Sequence, residues 1–411
     1  MLAGDWQPDR TALTTTNEGG IDALDLDWRL GVRATGLDLG QRTLELAPSP
    51  VAPTGTAVAP DLQSLPFDGL VIATGATPRL LPAATEPLDA DADADADADA
   101  GPAARPGQLH GLAGIHILRS LDDCLALRAD LDASPHRVVV VGAGFIGAEV
   151  AATCRTRGLA VTLLEALPVP LERAVGPEIG ALMADVHRDH GVDVRLGVGV
   201  AGFEGGRRSG GGGGGRTDER RVEGVRLADG SFVAADVVVV GVGVEPNCTW
   251  LQGSGLLLDN GVVCDASGLA APGVVAAGDV ARWPSPRFGR LLRIEHWDNA
   301  ITMAEHVARR LLAGAGAPEP EPAPDPYDPV PWFWSDQYDR KIQLAGLGAG
   351  ADEMVLVDGS FEERRFAVLY RHGNRLGGVL AMNRPRQVVR FRALIERGAA
   401  WEEALEVARE A

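Results

Sequence analysis

The sequence predicts an α/β protein followed by a smaller antiparallel domain, and three observations carry that expectation. Through residue 316, short β-branched runs alternate with helical patterns, as in a mainly parallel sheet covered by helices. A glycine-spaced turn joins one of these strands to a helix near Gly144. Beyond a proline-rich stretch the pattern changes to closely spaced strands ahead of a helix.

Taken in order, Val138 to Gly142 reads as a buried strand, Phe145 to Arg157 as a helix and Val161 to Glu165 as a second strand, which together make one βαβ unit. Val237 to Val240 and Val274 to Ala277 have the same buried-strand character, and each is followed by glycine. After the proline-rich stretch, Ile342 to Leu347, Glu353 to Asp358, Phe366 to Arg371 and Arg375 to Leu380 read as strands, and Gln387 to Arg397 as a helix. An antiparallel sheet with terminal helices is expected there. Three low-complexity segments punctuate the chain. The Asp-Ala alternation from Asp89 to Ala100 repels itself and is expected to be solvated rather than to bind calcium. The glycine-rich run from Arg207 to Arg221 reads as an enlarged connection between two strands, and Ala317 to Pro331 as a polyproline-like linker.

A length of 411 residues suits two or three domains. With 38 Lys and Arg against 57 Asp and Glu, the formal charge of −19 argues against a general nucleic-acid or anionic-membrane binder. No apolar run is long enough to span a bilayer, and the first residues lack a secretory signal, so a cytoplasmic address is expected. Cys124, Cys154, Cys248 and Cys264 lie far apart, without the spacing of a zinc ribbon or a redox dithiol. Buried thiols are expected, with no metal site.

The strongest motif is VVVVGAGFIGAEVA, in which Gly142, Gly144 and Gly147 form a G-x-G-x-x-G fingerprint at a strand-to-helix turn. Gly142 permits the tight turn, Gly144 leaves room for a pyrophosphate, and Gly147 lets helix and strand approach. The helix N-terminus adds unpaired N–H groups and a partial positive charge. Glu165, 21 residues beyond Gly144, can accept both ribose hydroxyls of an adenosine, which favours NADH over NADPH. Arg173 is a candidate for the pyrophosphate or a 2′-phosphate. Two further strand ends point the same way. LVIATGATPR carries Thr74 and Gly75, and VVAAGDVA carries Gly278 and Asp279, where a carboxylate can bind a sugar-like hydroxyl or cap a helix.

In the order strand–ATG, strand–GxGxxG, strand–GxGxxPN and strand–GD, these motifs resemble the flavoprotein reductases with two Rossmann-like dinucleotide domains. EHWDNA at Glu295 to Ala300 and PWFWSDQYDRKIQLAG at Pro331 to Gly346 are similar to the ferredoxin reductases that supply cytochrome P450 or Rieske oxygenases, the group of the putidaredoxin and rubredoxin reductases. The likeness runs from Leu2 to about Glu406. It implies an FAD domain over residues 1–107 and 245–316, an NAD domain over 108–244, a linker over 317–330 and a C-terminal α+β reductase domain over 331–411.

The resemblance also implies site residues. Thr74, Gly75, Arg79, Arg119, Gly278, Asp279, Trp297 and Trp332 fall at FAD positions, with Trp334 beside Trp332. Gly142, Gly144, Gly147, Glu149, Glu165, Arg173, Gly241, Gly243 and Glu295 fall at NAD positions, with Glu149 near the nicotinamide carboxamide. Glu245, Pro246 and Asn247 match the segment that returns the chain to the FAD domain. Hydride would pass from NADH to the flavin across on the order of 3 to 3.5 Å, and electrons would leave singly to a ferredoxin or rubredoxin. No protein nucleophile is then needed. Arg384, Arg386, Arg390 and Arg392 offer a local basic patch for that partner. Family members begin with a further strand–GxGxxG–helix unit that precedes Met1 of this sequence. A fragment or a misassigned start is therefore expected, with weak FAD binding and an exposed apolar face. Two other readings stay open: an NADH oxidase or disulfide reductase, and a flavin-free NAD-binding regulator.

Overall fold

The computed structural model describes residues 23–49, 63–81, 107–207, 220–314 and 325–410. The chain start, the Asp-Ala alternation and the middle of the glycine-rich run lie outside the described residues, as does most of the proline-rich stretch. The chain divides into two compact units. One comprises the segment ending at Ala76 together with Pro246–Asp328; the other comprises Thr77–Glu245 and Pro329–Ala411. The segments expected as separate NAD and C-terminal domains thus belong to one unit.

In that larger unit a parallel five-stranded sheet runs in the order Asp193–Leu196, Ala160–Glu165, Arg137–Val141, Val237–Val240 and Ile115–His116. The valine runs are continuous rather than alternating because both sheet faces are covered. Val138, Val140, Val161, Leu163, Val237 and Val239 face the helices Leu121–Asp132 and Phe145–Thr156. Val139, Val141, Leu164, Val238 and Val240 face the other way, onto Phe203, Val222 and Val225. That second face is covered by the antiparallel strands Val200–Arg207 and Arg220–Leu227, with Phe232–Ala234 beside them, where the sequence had suggested helices on a mainly parallel sheet. The glycine-rich run does connect two paired strands. Helix Leu121–Asp132 starts at a capping box: Ser120 Oγ accepts from Asp123 N–H, and Asp123 accepts from Ser120 N–H at 2.8 Å.

The C-terminal part of this unit is an antiparallel sheet in the order Trp332–Gln337, Arg340–Gly346, Arg375–Met382, Arg365–His372 and Glu353–Ser360, with helices Pro385–Glu396 and Trp401–Arg409. Four of these strands match expectation, and Trp332–Gln337 adds an edge strand. One seam joins this sheet to the preceding segment. Ile179, Met183 and Val186 of helix Pro177–Asp189 pack into Ile342, Phe366, Val368, Leu380 and Met382. The buried Tyr370 hydroxyl donates to Val175 O at 2.9 Å.

The smaller unit has two parallel strands, Leu70–Ile72 and Val274–Ala276, with Leu269–Ala271 antiparallel beside the second. The amphipathic helix Trp297–Gly314 packs on this sheet, burying Met303 and Val307. Val32–Asp38, Thr43–Pro48 and Ser64–Pro66 form a separate antiparallel meander. Among the described residues no helix is long and apolar enough to cross a membrane.

His187, fully buried on helix Pro177–Asp189, is pushed down to about 4 by burial, from an ordinary 6.5. Between those values the unfolded chain binds a proton that the folded chain refuses, so folding stability falls as pH drops from about 6.5 to about 4. The slope is up to about 1.4 kcal/mol per pH unit. Urea midpoints measured from pH 7.5 to 4.5 should fall more steeply for the natural chain than for His187→Gln. Equal slopes would show that the imidazole is not held neutral.

Candidate functional site

The glycine turn of the larger unit is built from backbone pressed against backbone. Gly142 adopts φ 96°, and a Cβ there would strike Gly241 O. A Cβ on Gly147 would strike Gly142 O. Gly241 N–H in turn donates to Val141 O at 2.8 Å. Gly144 differs: it has an ordinary φ of −69°, and a Cβ there would meet nothing within 4 Å. It is the N-cap of helix Phe145–Thr156 and supplies no side-chain cap, so the first amides of the helix face the space that its missing side chain leaves open.

Glu165, at the end of the neighbouring strand, reaches this turn. Its Oε2 accepts from Ala143 N–H at 2.7 Å and its Oε1 from Leu167 N–H at 2.9 Å. Each carboxylate oxygen keeps a further acceptor site. Open cradle, helix N-terminus and rim carboxylate together fit an adenosine pyrophosphate. Arg173 is exposed on the short helix Glu172–Val175 just beyond that strand. Gly243 has φ 97° and accepts from Arg79 N–H at 2.9 Å, which ties the exposed Arg79 to the strand end after Val240.

Glu149, one turn into the same helix, is half-buried. Ser335 Oγ donates to its Oε1 at 2.6 Å, and burial pushes the carboxyl above its ordinary range despite that bond. Four residues earlier on the helix, Phe145 meets Phe333 edge-to-face at 4.3 Å. Strand Trp332–Gln337 therefore lies along the helix that starts at the glycine turn. Trp332 is half-buried, with Trp334 at 5.1 Å and the Arg392 guanidinium over its ring. Arg119 is exposed immediately before the capping box, and its N–H reaches Asp123 at 3.2 Å.

In the smaller unit the two strand-end motifs, far apart in sequence, are bonded to each other. Thr74 Oγ1 donates to Asn247 O at 2.7 Å, Asn247 Nδ2 donates to Thr74 O at 2.8 Å, and Asn247 N–H donates to Gly75 O at 2.9 Å. Gly75 has φ 67°, so the turn after strand Leu70–Ile72 needs its glycine. Gly278, also at positive φ, lies against Ala300 and brings Asp279 to the start of helix Trp297–Gly314. Asp279 lies within the short 3-10 turn Gly278–Val280, whose N-cap is Ala277, without a side-chain bond. The exposed Trp297 opens the long helix. Burial pushes the neighbouring His296 down to about 4 against the pull of Asp279 and Asp298.

Glu295 belongs to this unit rather than to the one carrying the glycine turn, and Arg293 holds it at 2.6 Å. Arg293, mostly buried, also donates to Asp279 O at 3.2 Å. Sequence reasoning missed Arg293 and Ser335, and it named Asn247 without its bonds to Thr74 and Gly75. Asn247 lay within a quoted motif, and the reach of its amide to a turn 173 residues away was the hidden part. Of the four arginines of the expected basic patch, Arg384 is paired with Asp358 at 3.2 Å and Arg392 with Glu396 at 3.1 Å. Arg386 and Arg390, with the exposed Val389 between them, have no carboxylate partner among the described residues.

The profile described as pyridine nucleotide-disulphide oxidoreductase matches residues 21–304, and the one described as reductase C-terminal matches 332–409. Putidaredoxin reductase CamA of Pseudomonas putida is 35% identical over 326 residues, covering 79% of this chain and 67% of that protein. Rhodocoxin reductase of Rhodococcus erythropolis is 36% identical over 337 residues, covering 82% and 68%. The chain thus spans about two thirds of the length of these relatives. Among solved structures, the covalent putidaredoxin reductase–putidaredoxin complex aligns with TM-score 0.76 at 31% identity, over 96% of this chain and 81% of that one. The ferredoxin reductase for the CYP199A2 system of Rhodopseudomonas palustris aligns with TM-score 0.70 at 33% identity, over 91% and 78%. The chain belongs to the pyridine nucleotide-disulphide oxidoreductase family, in the ferredoxin-reductase branch that carries the C-terminal reductase domain.

Proposed function

We propose that this chain is an FAD-dependent reductase that draws electrons from NADH and delivers them to a ferredoxin or rubredoxin serving a P450 or Rieske oxygenase. FAD, when bound, supplies the chemistry that links two-electron hydride donors to one-electron acceptors. The supporting observation is the open cradle at Gly144 with the Glu165 carboxylate on its rim. The helix amides would neutralise pyrophosphate charge there, and Glu165 would accept from the ribose hydroxyls. A 2′-phosphate beside that carboxylate would meet like charge, which favours NADH.

Thr74, Gly75, Gly278, Asp279 and Trp297, all in the smaller unit, are the residues proposed for the flavin. The Thr74–Gly75 turn, with Thr74 exposed, admits a ligand, Asp279 offers acceptors to hydroxyls, and the exposed Trp297 offers an aromatic face. For the protein partner, Arg386, Val389 and Arg390 form one face of helix Pro385–Glu396, a basic rim around an apolar point.

Reconstitution with FAD, followed by NADH-dependent reduction of ferricyanide and of a [2Fe–2S] ferredoxin, tests the reading. A flavin-loaded chain that reduces neither acceptor would sink it. Gly144→Ala should keep its fold, because the new methyl meets no protein atom, yet weaken NADH binding about tenfold or more. Gly147→Ala should lose stability, because the methyl meets backbone. Urea unfolding and NADH titration of the two variants separate these outcomes. Glu165→Ala should cost NADH about ten- to a hundredfold in affinity, the range for a hydrogen bond to a charged group, while narrowing the preference over NADPH. Charge reversal at Arg386 and Arg390 should lower ferredoxin reduction more than ferricyanide reduction and flatten its salt dependence. Equal losses on the two acceptors would place docking elsewhere.

A further inference from the structure

Behind Glu149 runs a row of buried polar groups whose donors all point one way. Ser335 Oγ–H donates to Glu149 Oε1 at 2.6 Å, and Gln337 Nε2–H donates to Ser335 Oγ at 3.1 Å. Ser335 and Gln337 are both fully buried, and they lie two apart on a strand, so they share the face that Phe333 presents to Phe145. The Gln337 side chain approaches His187, drawing its titration upward against burial, and His187 Nδ1 is 2.9 Å from Tyr338 Oη. His187 Nε2 and Gln337 Oε1 are buried and make no hydrogen bond of ordinary geometry. Tyr338 is itself fixed by stacking on His190 at 3.7 Å. Ser335 and Gln337 thus form a two-bond chain that ends on one Glu149 carboxylate oxygen, with His187 and Tyr338 beyond it.

We infer that Ser335 is a positioning residue for nucleotide recognition: it fixes the Glu149 carboxylate as an acceptor, with Gln337 holding the serine hydroxyl from behind. The inference rests on the reading that NADH binds at the glycine turn with its carboxamide near Glu149. A carboxamide NH2 can only donate, so it is held best by Glu149 ionised, with both oxygens as acceptors. Asp336 on the same strand is the charged group that opposes ionisation, and Lys341 holds it at 2.9 Å. Ser335 and the backbone of Asp336 are the groups that favour it. Loss of the serine hydroxyl would therefore leave the carboxyl protonated to a higher pH. A protonated carboxyl presents one acceptor fewer to the nucleotide.

The test has two readouts. In the cofactor-free chain carrying 13C-labelled glutamate, the Glu149 signal is assigned with Glu149→Gln and its titration followed in the natural chain, Ser335→Ala and Ser335→Thr. Ser335→Ala should raise the midpoint by about one pH unit, Ser335→Thr should restore it, and Gln337→Met should give a smaller shift in the same direction. NADH dissociation constants, measured across the same pH range, should weaken as pH falls, with a midpoint that follows the carboxyl titration in each variant. A Glu149 titration unmoved in Ser335→Ala overturns the positioning role. A moved titration with an unmoved NADH profile overturns its link to the nucleotide. A natural chain that titrates as described but binds no NADH overturns instead the reading of the glycine turn on which the inference rests.

Discussion

At Gly142, Gly147 and Gly241 three peptide backbones meet with no side chain between them, and the arrangement of the larger unit depends on that contact. The two central strands, Arg137–Val141 and Val237–Val240, end side by side, and the helix leaving the first strand is drawn down until its first turn touches Gly142 O. With the helix start fixed, the positions that follow it are fixed too. Ala143 N–H faces Glu165, Phe145 faces Phe333 and Glu149 faces Ser335. Of the three fingerprint glycines, Gly144 is the one exempt from packing, and a side chain there would meet empty space. Three glycines in one fingerprint therefore answer to two different demands. Packing accounts for the outer two, and the middle one leaves open the cradle proposed for a pyrophosphate.

The second organising contact is the seam that makes one unit of segments the sequence separates by more than a hundred residues. Helix Pro177–Asp189 presents Ile179, Met183 and Val186 to the antiparallel sheet, and burial of each such side chain stabilises by roughly 1.5–3 kcal/mol. Polar contacts give the seam its register. Tyr370 reaches Val175 O, Tyr338 reaches His187, and Arg364 pairs with Asp189 at 3.1 Å. A slip of one residue in strand Trp332–Gln337 would turn Phe333, Ser335 and Gln337 away from the helix and carry Trp332, Trp334 and Asp336 towards it. The glycine-turn helix and the C-terminal sheet are consequently set by one another, and the chemistry of Glu149 is shared between them.

Thiol chemistry, by contrast, has poor footing at two of the four cysteines. Burial pushes Cys154 and Cys264 up to about 12, far from the thiolate that nucleophilic or redox cysteines need near neutral pH. Cys154 sits against the valine core beneath the parallel sheet, and Cys264 lies between two strands of the smaller unit. Both behave as small apolar residues. Electron transfer by way of a bound flavin asks nothing of them.

How far the fold and site were legible in the sequence follows from which signals depend on neighbours. Valine runs, glycine spacing and the change of pattern after the proline-rich stretch are local, and the strands and helix around Gly144 fall within a residue of their expected ends. Strand Trp332–Gln337 was not legible as a strand because its pattern is inverted. The large aromatic at Trp334 is exposed, while polar Ser335 and Gln337 occupy the buried positions. Reading hydrophobicity for burial fails when the partner surface is itself polar, as Glu149 and His187 make it here. The clamp between Asn247 and Thr74 was hidden for a related reason, since hydrogen bonds across 173 residues leave no periodic trace. The pairing of Arg384 and Arg392 shows the same limit from the other side: four arginines close in sequence read as one patch, but Asp358, from a different strand, had already claimed one of them. A buried polar row costs more than an apolar one unless every member is satisfied. Its presence beneath the helix that starts at the glycine turn therefore supports the positioning role proposed for Ser335 over a stabilising one, for which leucine and phenylalanine at the same positions would have sufficed.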